Sequence, residues 1–131
     1  MIDHLSLPVA DFHRSRAFYD AALKPLGMGR AMEFEHQGYG GCGFGPAGKP
    51  VFWVGAPLAG GPTVEPQKGF HVAFVAPDRK SVDAFYAAAM GAGGTDNGPP
   101  GLRPHYHANY YAAFVIDPDG HHVEAVCHRP E

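Results

Sequence analysis

Hydrophobic and polar positions change period several times along the chain, and the changes mark its elements. Ile2 to Val9 alternates as a strand does, with Ile2, His4 and Ser6 on one face and Asp3, Leu5 and Leu7 on the other. From Asp11 the period lengthens. Ala10, Arg14, Phe18, Ala21 and Ala22 recur at helical spacing, so the pattern predicts a helix capped by Asp11, running to about Leu26 and ended by Gly27. Met28 to Glu35 and Gly38 to Phe44 return to strand character around a turn at His36-Gln37-Gly38, and Pro46 to Gly48 turns the chain into Val51 to Val54. That unit is β-α-β-β-β. Residues 57–68 carry three prolines and two glycines without hydrophobic period and read as a linker.

The plan then repeats: a strand over Phe70 to Ala76, a helix capped by Asp78 and running to about Gly91, and turn-rich chain from Gly93 to Pro104. A short second strand is expected within Gly94 to Asn97. Tyr110 to Ile116 and His121 to Cys127 flank Asp117-Pro-Asp-Gly, strong turn chemistry, and read as a closing hairpin. The repetition is also literal. At a constant offset of 67 residues His4 meets His71, Asp11 meets Asp78, Phe18 and Tyr19 meet Phe85 and Tyr86, and Gly27 meets Gly94. Ala17, Ala21 and Ala22 meet alanines too, which makes eight gapless identities and a tandem duplication. The expected organisation is one domain over residues 1–131: a first module at 1–56, the linker at 57–68 and a second module at 69–131.

Composition narrows the partner. A formal charge of −3 offers no basic patch for nucleic acid or a membrane surface, so a small molecule is the expected ligand. No apolar run approaches the 18 residues of a membrane span, and Met-Ile-Asp-His does not begin a signal peptide, so a cytoplasmic protein is expected. Cys42 and Cys127 are then two reduced thiols, their spacing fitting neither a redox pair nor a zinc knuckle.

A doubled β-α-β-β-β unit with a histidine on the first strand of each half, a repeated Phe-Tyr on each helix, and Asp-Pro-Asp-Gly-x-x-x-Glu at the close resembles the vicinal oxygen chelate superfamily. That group includes glyoxalase I, fosfomycin-resistance transferases, bleomycin-resistance proteins and extradiol dioxygenases. The resemblance spans essentially the whole chain. It implies an α+β fold in which two tandem βαβββ modules form a U-shaped mixed sheet around a cleft, with helices outside. It further implies a divalent metal ion (Fe, Mn, Ni or Zn) on His4, His71 and Glu124, a small substrate with adjacent oxygens, and a homodimer that completes or flanks the site. Aligning Gly48 with Gly120 sets Phe52, or Trp53 if the register differs by one, where glyoxalase I has a fourth, carboxylate ligand.

Read for their chemistry alone, two imidazoles and a carboxylate from three strands match a facial triad that leaves positions open for substrate. With one carboxylate the site keeps about one net positive charge, a stronger Lewis acid toward an anionic bidentate ligand. This favours a catecholate, phosphonate, enediolate or 2-oxo acid and disfavours glyoxalase I proper; lyase or isomerase, dioxygenase and thiol transferase chemistry stay open. The alternative is a metal-free sequestering protein of the bleomycin-resistance type. Further candidates cluster in Arg103-Pro-His-Tyr-His-Ala-Asn-Tyr-Tyr: Arg103 as an anion contact, His105 or His107 as acid or base, and Tyr106, Tyr110 or Tyr111 as oxyanion donors. Ser6 and Phe52 are expected to contact substrate. Tyr110 shares the face of Glu124 only if the closing hairpin pairs without a bulge.

Overall fold

The computed structural model describes all residues, 1–131. Each half builds its own small sheet. In the first, β1 (Leu5–Pro8), β2 (Gly29–His36), β3 (Tyr39–Gly45) and β4 (Phe52–Pro57) assemble in the order β1-β4-β3-β2. In the second, β5 (His71–Val75), β6 (Thr95–Asp96), β8 (Tyr111–Ile116) and β9 (His122–Cys127) take the order β5-β9-β8-β6, with β7 (Gly101–Leu102) also on β8. The first strand of each half pairs in parallel with the last, and the other pairs are antiparallel. Two helices, α1 (Phe12–Leu23) and α2 (Arg79–Gly91), cover one face of the sheets.

Local chemistry accounts for these boundaries. Asp11 and Asp78 accept from the backbone N–H groups of Arg14 and Ser81, at 3.0 and 2.7 Å, and so satisfy amides the first turn leaves unpaired. Pro25 tightens the end of α1 into a 3-10 turn over Lys24–Leu26, and Gly27 closes it with φ 78°, a left-handed conformation that favours glycine. Between β2 and β3, Gln37 and Gly38 both have positive φ, as a two-residue hairpin requires. Asp117 holds the last turn by accepting from the N–H groups of Asp119 and His121, each at 2.9 Å.

Three boundaries differ from the sequence reading. β1 starts at Leu5, leaving His4 just ahead of the paired strand; β4 continues to Pro57; and the second strand of the second half is split. Gly98-Pro99-Pro100 interrupts that last strand, because proline supplies no N–H to the ladder, and two-residue pairings survive on either side.

The helix-covered sides of both sheets share one core of 24 buried residues. Phe52 of β4 meets Phe74 of β5 edge to face at 5.1 Å, joining the halves. Polar ties reinforce the seam. The fully buried Tyr19 donates to Asp117 Oδ2 at 2.6 Å, Asp119 accepts from Ala10 N–H and from Ser15 Oγ, and His121 Nε2 lies 2.8 Å from the Pro8 carbonyl. Burial, then the Asp117 carboxylate, pushes the Tyr19 phenol well up, so it stays a donor. Because all of this packing lies on the helix side, the opposite face of each sheet is left to form a hollow.

Candidate functional site

Two hollows lie on these open faces, and no residue lines both. The larger, about 780 Å³, belongs to the second half and is lined by His71, His105, His107, His122, Tyr110 and Glu124, among others. The smaller, about 480 Å³, belongs to the first half and holds His4, Ser6, Phe34, Tyr39 and Trp53.

Strand register fixes who faces whom. Ala73 of β5 pairs with Glu124 of β9, so His71, two residues back on the same face, lies diagonally across from that carboxylate. His71 Nε2 and Glu124 Oε2 are 3.5 Å apart. Glu124 is 1% exposed, a depth at which an unpaired carboxylate is strongly disfavoured, and its second oxygen accepts a short hydrogen bond from the Tyr110 hydroxyl. The β8–β9 hairpin has no bulge: Phe114 pairs with Glu124, so Tyr110, Ala112 and Phe114 share the hollow's face. Burial first, then the hydrogen bond to Glu124 and its charge, raises the Tyr110 phenol well above its ordinary value. Tyr110 is therefore a protonated donor across the working pH range.

Around this pair the loop before β8 supplies imidazoles. His107 Nδ1 accepts from Asn109 N–H at 3.1 Å, which leaves its Nε2 proton to point at His128 Nδ1, 2.8 Å away. The Tyr110 ring packs edge-on against both His107 and His128, at 5.4 and 5.2 Å. The His105 ring tilts against that of Tyr106, 4.3 Å between centroids, and Tyr106 is exposed at the mouth.

Several expected site residues take other places. His4 lies in the other hollow, half exposed, with Nδ1 2.8 Å from Asp3 Oδ1. No three His, Cys, Asp or Glu side chains of one chain converge as an ion would require. Phe52 is 1% exposed, in the core against Tyr19 and Phe74, and lines neither hollow. Trp53 faces the hollow instead. It pairs with Ser6 as Glu124 pairs with Ala73, so Trp53 is the true counterpart of Glu124. The cause is length: one more residue separates Gly48 from Trp53 than Gly120 from Glu124, and a shift of one reverses strand faces. Tyr111 points to the helix side, donating to Asp83 at 2.6 Å beneath the Arg79 guanidinium. Arg103 is tied to the Pro99 carbonyl at 2.7 Å and lies over the Phe114 ring rather than reaching into the hollow. Ser6 does line a hollow, the first-half one.

Sequence reasoning passed over Phe34, Tyr39, Asn97, Phe114 and His128. Of these, Phe34 and Tyr39 had a signal, because β3, which begins at Tyr39 and lies between Phe34 of β2 and Trp53 of β4, reads Tyr-Gly-Gly-Cys-Gly and offers bare backbone on alternate positions.

The family model of the glyoxalase/bleomycin resistance protein/dioxygenase superfamily matches residues 1–125. The chain belongs to that superfamily. Among solved structures, a glyoxalase/bleomycin resistance protein from Albidiferax ferrireducens T118 is 31% identical, with 98% of each chain covered and a TM-score of 0.77. A glyoxalase I variant from Zea mays is 27% identical with a TM-score of 0.72, covering 95% of this chain and 46% of the maize one. A glyoxylase/bleomycin resistance protein/dioxygenase domain from Frankia sp. EAN1pec, 17% identical over 98% of both chains with a TM-score of 0.73, shares the fold. No curated protein matches the sequence. The α+β architecture of two βαβββ units is thus that of the superfamily, and no helix is long and apolar enough to cross a membrane.

Within this superfamily fold, the His71–Glu124 pair has the chemistry and spacing of two ligands to one ion. Donors each about 2.1 Å from a divalent ion, at angles near 90–110°, lie roughly 3–3.5 Å apart. No third His, Cys, Asp or Glu side chain of the same chain joins them.

Proposed function

We propose that this protein is a divalent-metal-dependent enzyme that binds a small substrate through two adjacent oxygens. His71 and Glu124 of one copy would hold the ion together with His4 of a second copy. The observation that carries this reading is the buried Glu124 carboxylate, set 3.5 Å from the His71 imidazole at the floor of an open hollow. The second copy is supported by the separation of His4 from that pair and by where the chain exposes its apolar side chains. The exposed aromatic side chains Phe34, Tyr39, Phe70 and Tyr106 all line the two hollows, whereas the exposed aliphatic ones such as Met32, Val75 and Leu102 lie elsewhere.

When bound, the ion would act as a Lewis acid toward the chelated oxygens, with about one net positive charge left by a single carboxylate. The protein's own groups supply the rest. Tyr110, held protonated, positions Glu124 and donates a hydrogen bond there. His107 is fixed in one tautomer by Asn109 and His128 and can pass a proton at the hollow's edge, with His105 the nearby alternative. Trp53 in place of a second carboxylate removes the group that could shuttle a proton between neighbouring carbons. Turnover of the methylglyoxal–glutathione hemithioacetal is therefore expected at trace level at most.

The test is metal analysis of untagged protein. His71→Ala and Glu124→Ala should each lose the ion while the circular dichroism spectrum persists; undiminished metal in both removes the proposal. Mixing His4→Ala with Glu124→Ala protein adds the decisive arm. In a shared site the mixed dimer regains one intact set of ligands, and in a single-chain site it regains none. A second reading, a metal-free sequestering protein, is favoured by the absence of three convergent donors within a chain. Ligand binding unaffected by chelator would establish it.

A further inference from the structure

The first-half hollow has a floor unlike anything in the second. Three rings lie flat against the sheet there because the residues beneath them have no side chain. An ideal Cβ on Gly41 would collide with the Phe34 ring; one on Gly43 would come within 2.7 Å of Trp53 Cε2, and one on Gly55 within 2.5 Å of the Tyr39 hydroxyl. Pairing explains the match of ring to glycine. Gly41 is opposite Phe34, Gly43 opposite Trp53, and Gly41 opposite Gly55, so bare backbone alternates with aromatic cover across β2, β3 and β4. Phe34 and Tyr39 are nearly parallel, 18° between planes with centroids 6.3 Å apart, and Trp53 tilts in at 6.0 Å from Phe34.

Rings in a core are covered on both faces. Here one face rests on glycine and the other looks into a hollow of about 480 Å³, with Phe34 45% and Tyr39 43% exposed. That volume suits a small ligand, and an open aromatic face favours an offset-stacked or edge-on planar ring over an aliphatic group of equal area. Polar groups are few: His4 and Ser6 line the β1 end of the hollow, and the Tyr39 hydroxyl lies beside Gly55.

We propose that this hollow is a binding site for the planar aromatic ring of a small ligand, and that the substrate carries such a ring beside its paired oxygens. The second clause rests on the metal-site reading above; the first does not. In the two-copy arrangement His4 brings the ring floor of one chain up to the His71–Glu124 pair of the other, so ring and oxygens are read by different halves.

Trp53 is the sole tryptophan and reports on its own site. The experiment follows its fluorescence during titration with phenylglyoxylate and with pyruvate, which differ only in phenyl against methyl, and with benzyl alcohol as a ring lacking paired oxygens. Each titration is run on manganese-loaded protein and again with chelator. Phenylglyoxylate should bind at least about tenfold more tightly than pyruvate in both conditions, and benzyl alcohol should shift the Trp53 signal without metal. Phe34→Ala, at an exposed edge-strand position, should shrink the phenyl-over-methyl ratio to about threefold or less and leave pyruvate unchanged. Equal affinities for the two acids, a ratio untouched by Phe34→Ala, or no response to either ring compound at millimolar concentration overturns the ring site. Loss of only the manganese-dependent increment would instead sink the metal reading and leave the ring site standing.

Discussion

The two halves share a plan, a strand order and eight identities, yet their open faces are opposites. Where the second half places Glu124 diagonally from His71, the first places Trp53 diagonally from His4. The second hollow is rich in imidazoles and holds a buried carboxylate; the first is paved with three rings on glycine. The helix sides have diverged less. Phe18 and Phe85 are both buried, and Asp11 and Asp78 both cap, because both copies must close the same core. Duplication has thus kept what packs and freed what faces the hollows. Only the duplicated histidine, His4 in one hollow and His71 in the other, is common to both, the point where the two divided tasks would meet.

The comparison breaks most visibly at Glu124. Replacing it by alanine should lower bound divalent metal more than tenfold by elemental analysis, whereas Trp53→Ala should leave metal content within a factor of two. The reverse outcome would mean that the halves have been assigned the wrong tasks. A swap sharpens the point. Trp53→Glu gives the first half the diagonal of the second, and should tighten metal retention several-fold against chelator while abolishing the preference for phenylglyoxylate over pyruvate.

Next come the paired tyrosines of the helices. Tyr19→Phe leaves the buried Asp117 short of a donor and should cost about 1–3 kcal/mol in urea denaturation. Its counterpart Tyr86→Phe, whose partner Asp96 is exposed, should cost less than about 0.5 kcal/mol. Gly41→Ala belongs lower still in stability, since it meets only the movable Phe34 ring, but should weaken phenylglyoxylate binding as much as Phe34→Ala does.

The smallest effect is one of pH. Burial raises the Asp117 carboxyl above its ordinary 3.8, despite the hydrogen bonds from Tyr19, His121 and Asp119 that pull it down. Between the ordinary value and the raised one the folded state binds more proton than the unfolded. Asp117 therefore contributes a stability that falls as pH rises through the raised value. Asp117→Asn should flatten that part of the stability–pH curve.

Much of the architecture could be read from the chain because it rests on local chemistry repeated twice: capping aspartates, a glycine after the first helix, and turn residues between alternating strands. The inward position of Tyr110 followed once the Asp117-Pro-Asp-Gly hairpin proved free of bulges. What escaped was parity and pairing. Phe52 and Trp53 exchange faces on a single extra residue after Gly48, a difference with no signature beyond length. Tyr111 and Arg103 found partners, Asp83 and the Pro99 carbonyl, that no local pattern announces. The separation of His4 from His71 and Glu124 depends on which faces of the duplicated sheets are pressed together, and core-forming residues in both halves read alike. The glycines of β3 read as ordinary strand residues until their neighbours showed them to be a floor.

The parallel pairing of first with last strand in each half also sets an order of assembly during translation. β5 has β9 as its only neighbour, so it stays unpaired until residue 127 has emerged, whereas β1 can join β4 once residue 57 has emerged. The ring-lined half can take shape early on the ribosome; the half bearing Glu124 closes about 70 residues later. Premature termination before β9 would release a molecule with a bare strand edge and half a groove, a substrate for chaperones and proteases rather than a weakened version of the protein.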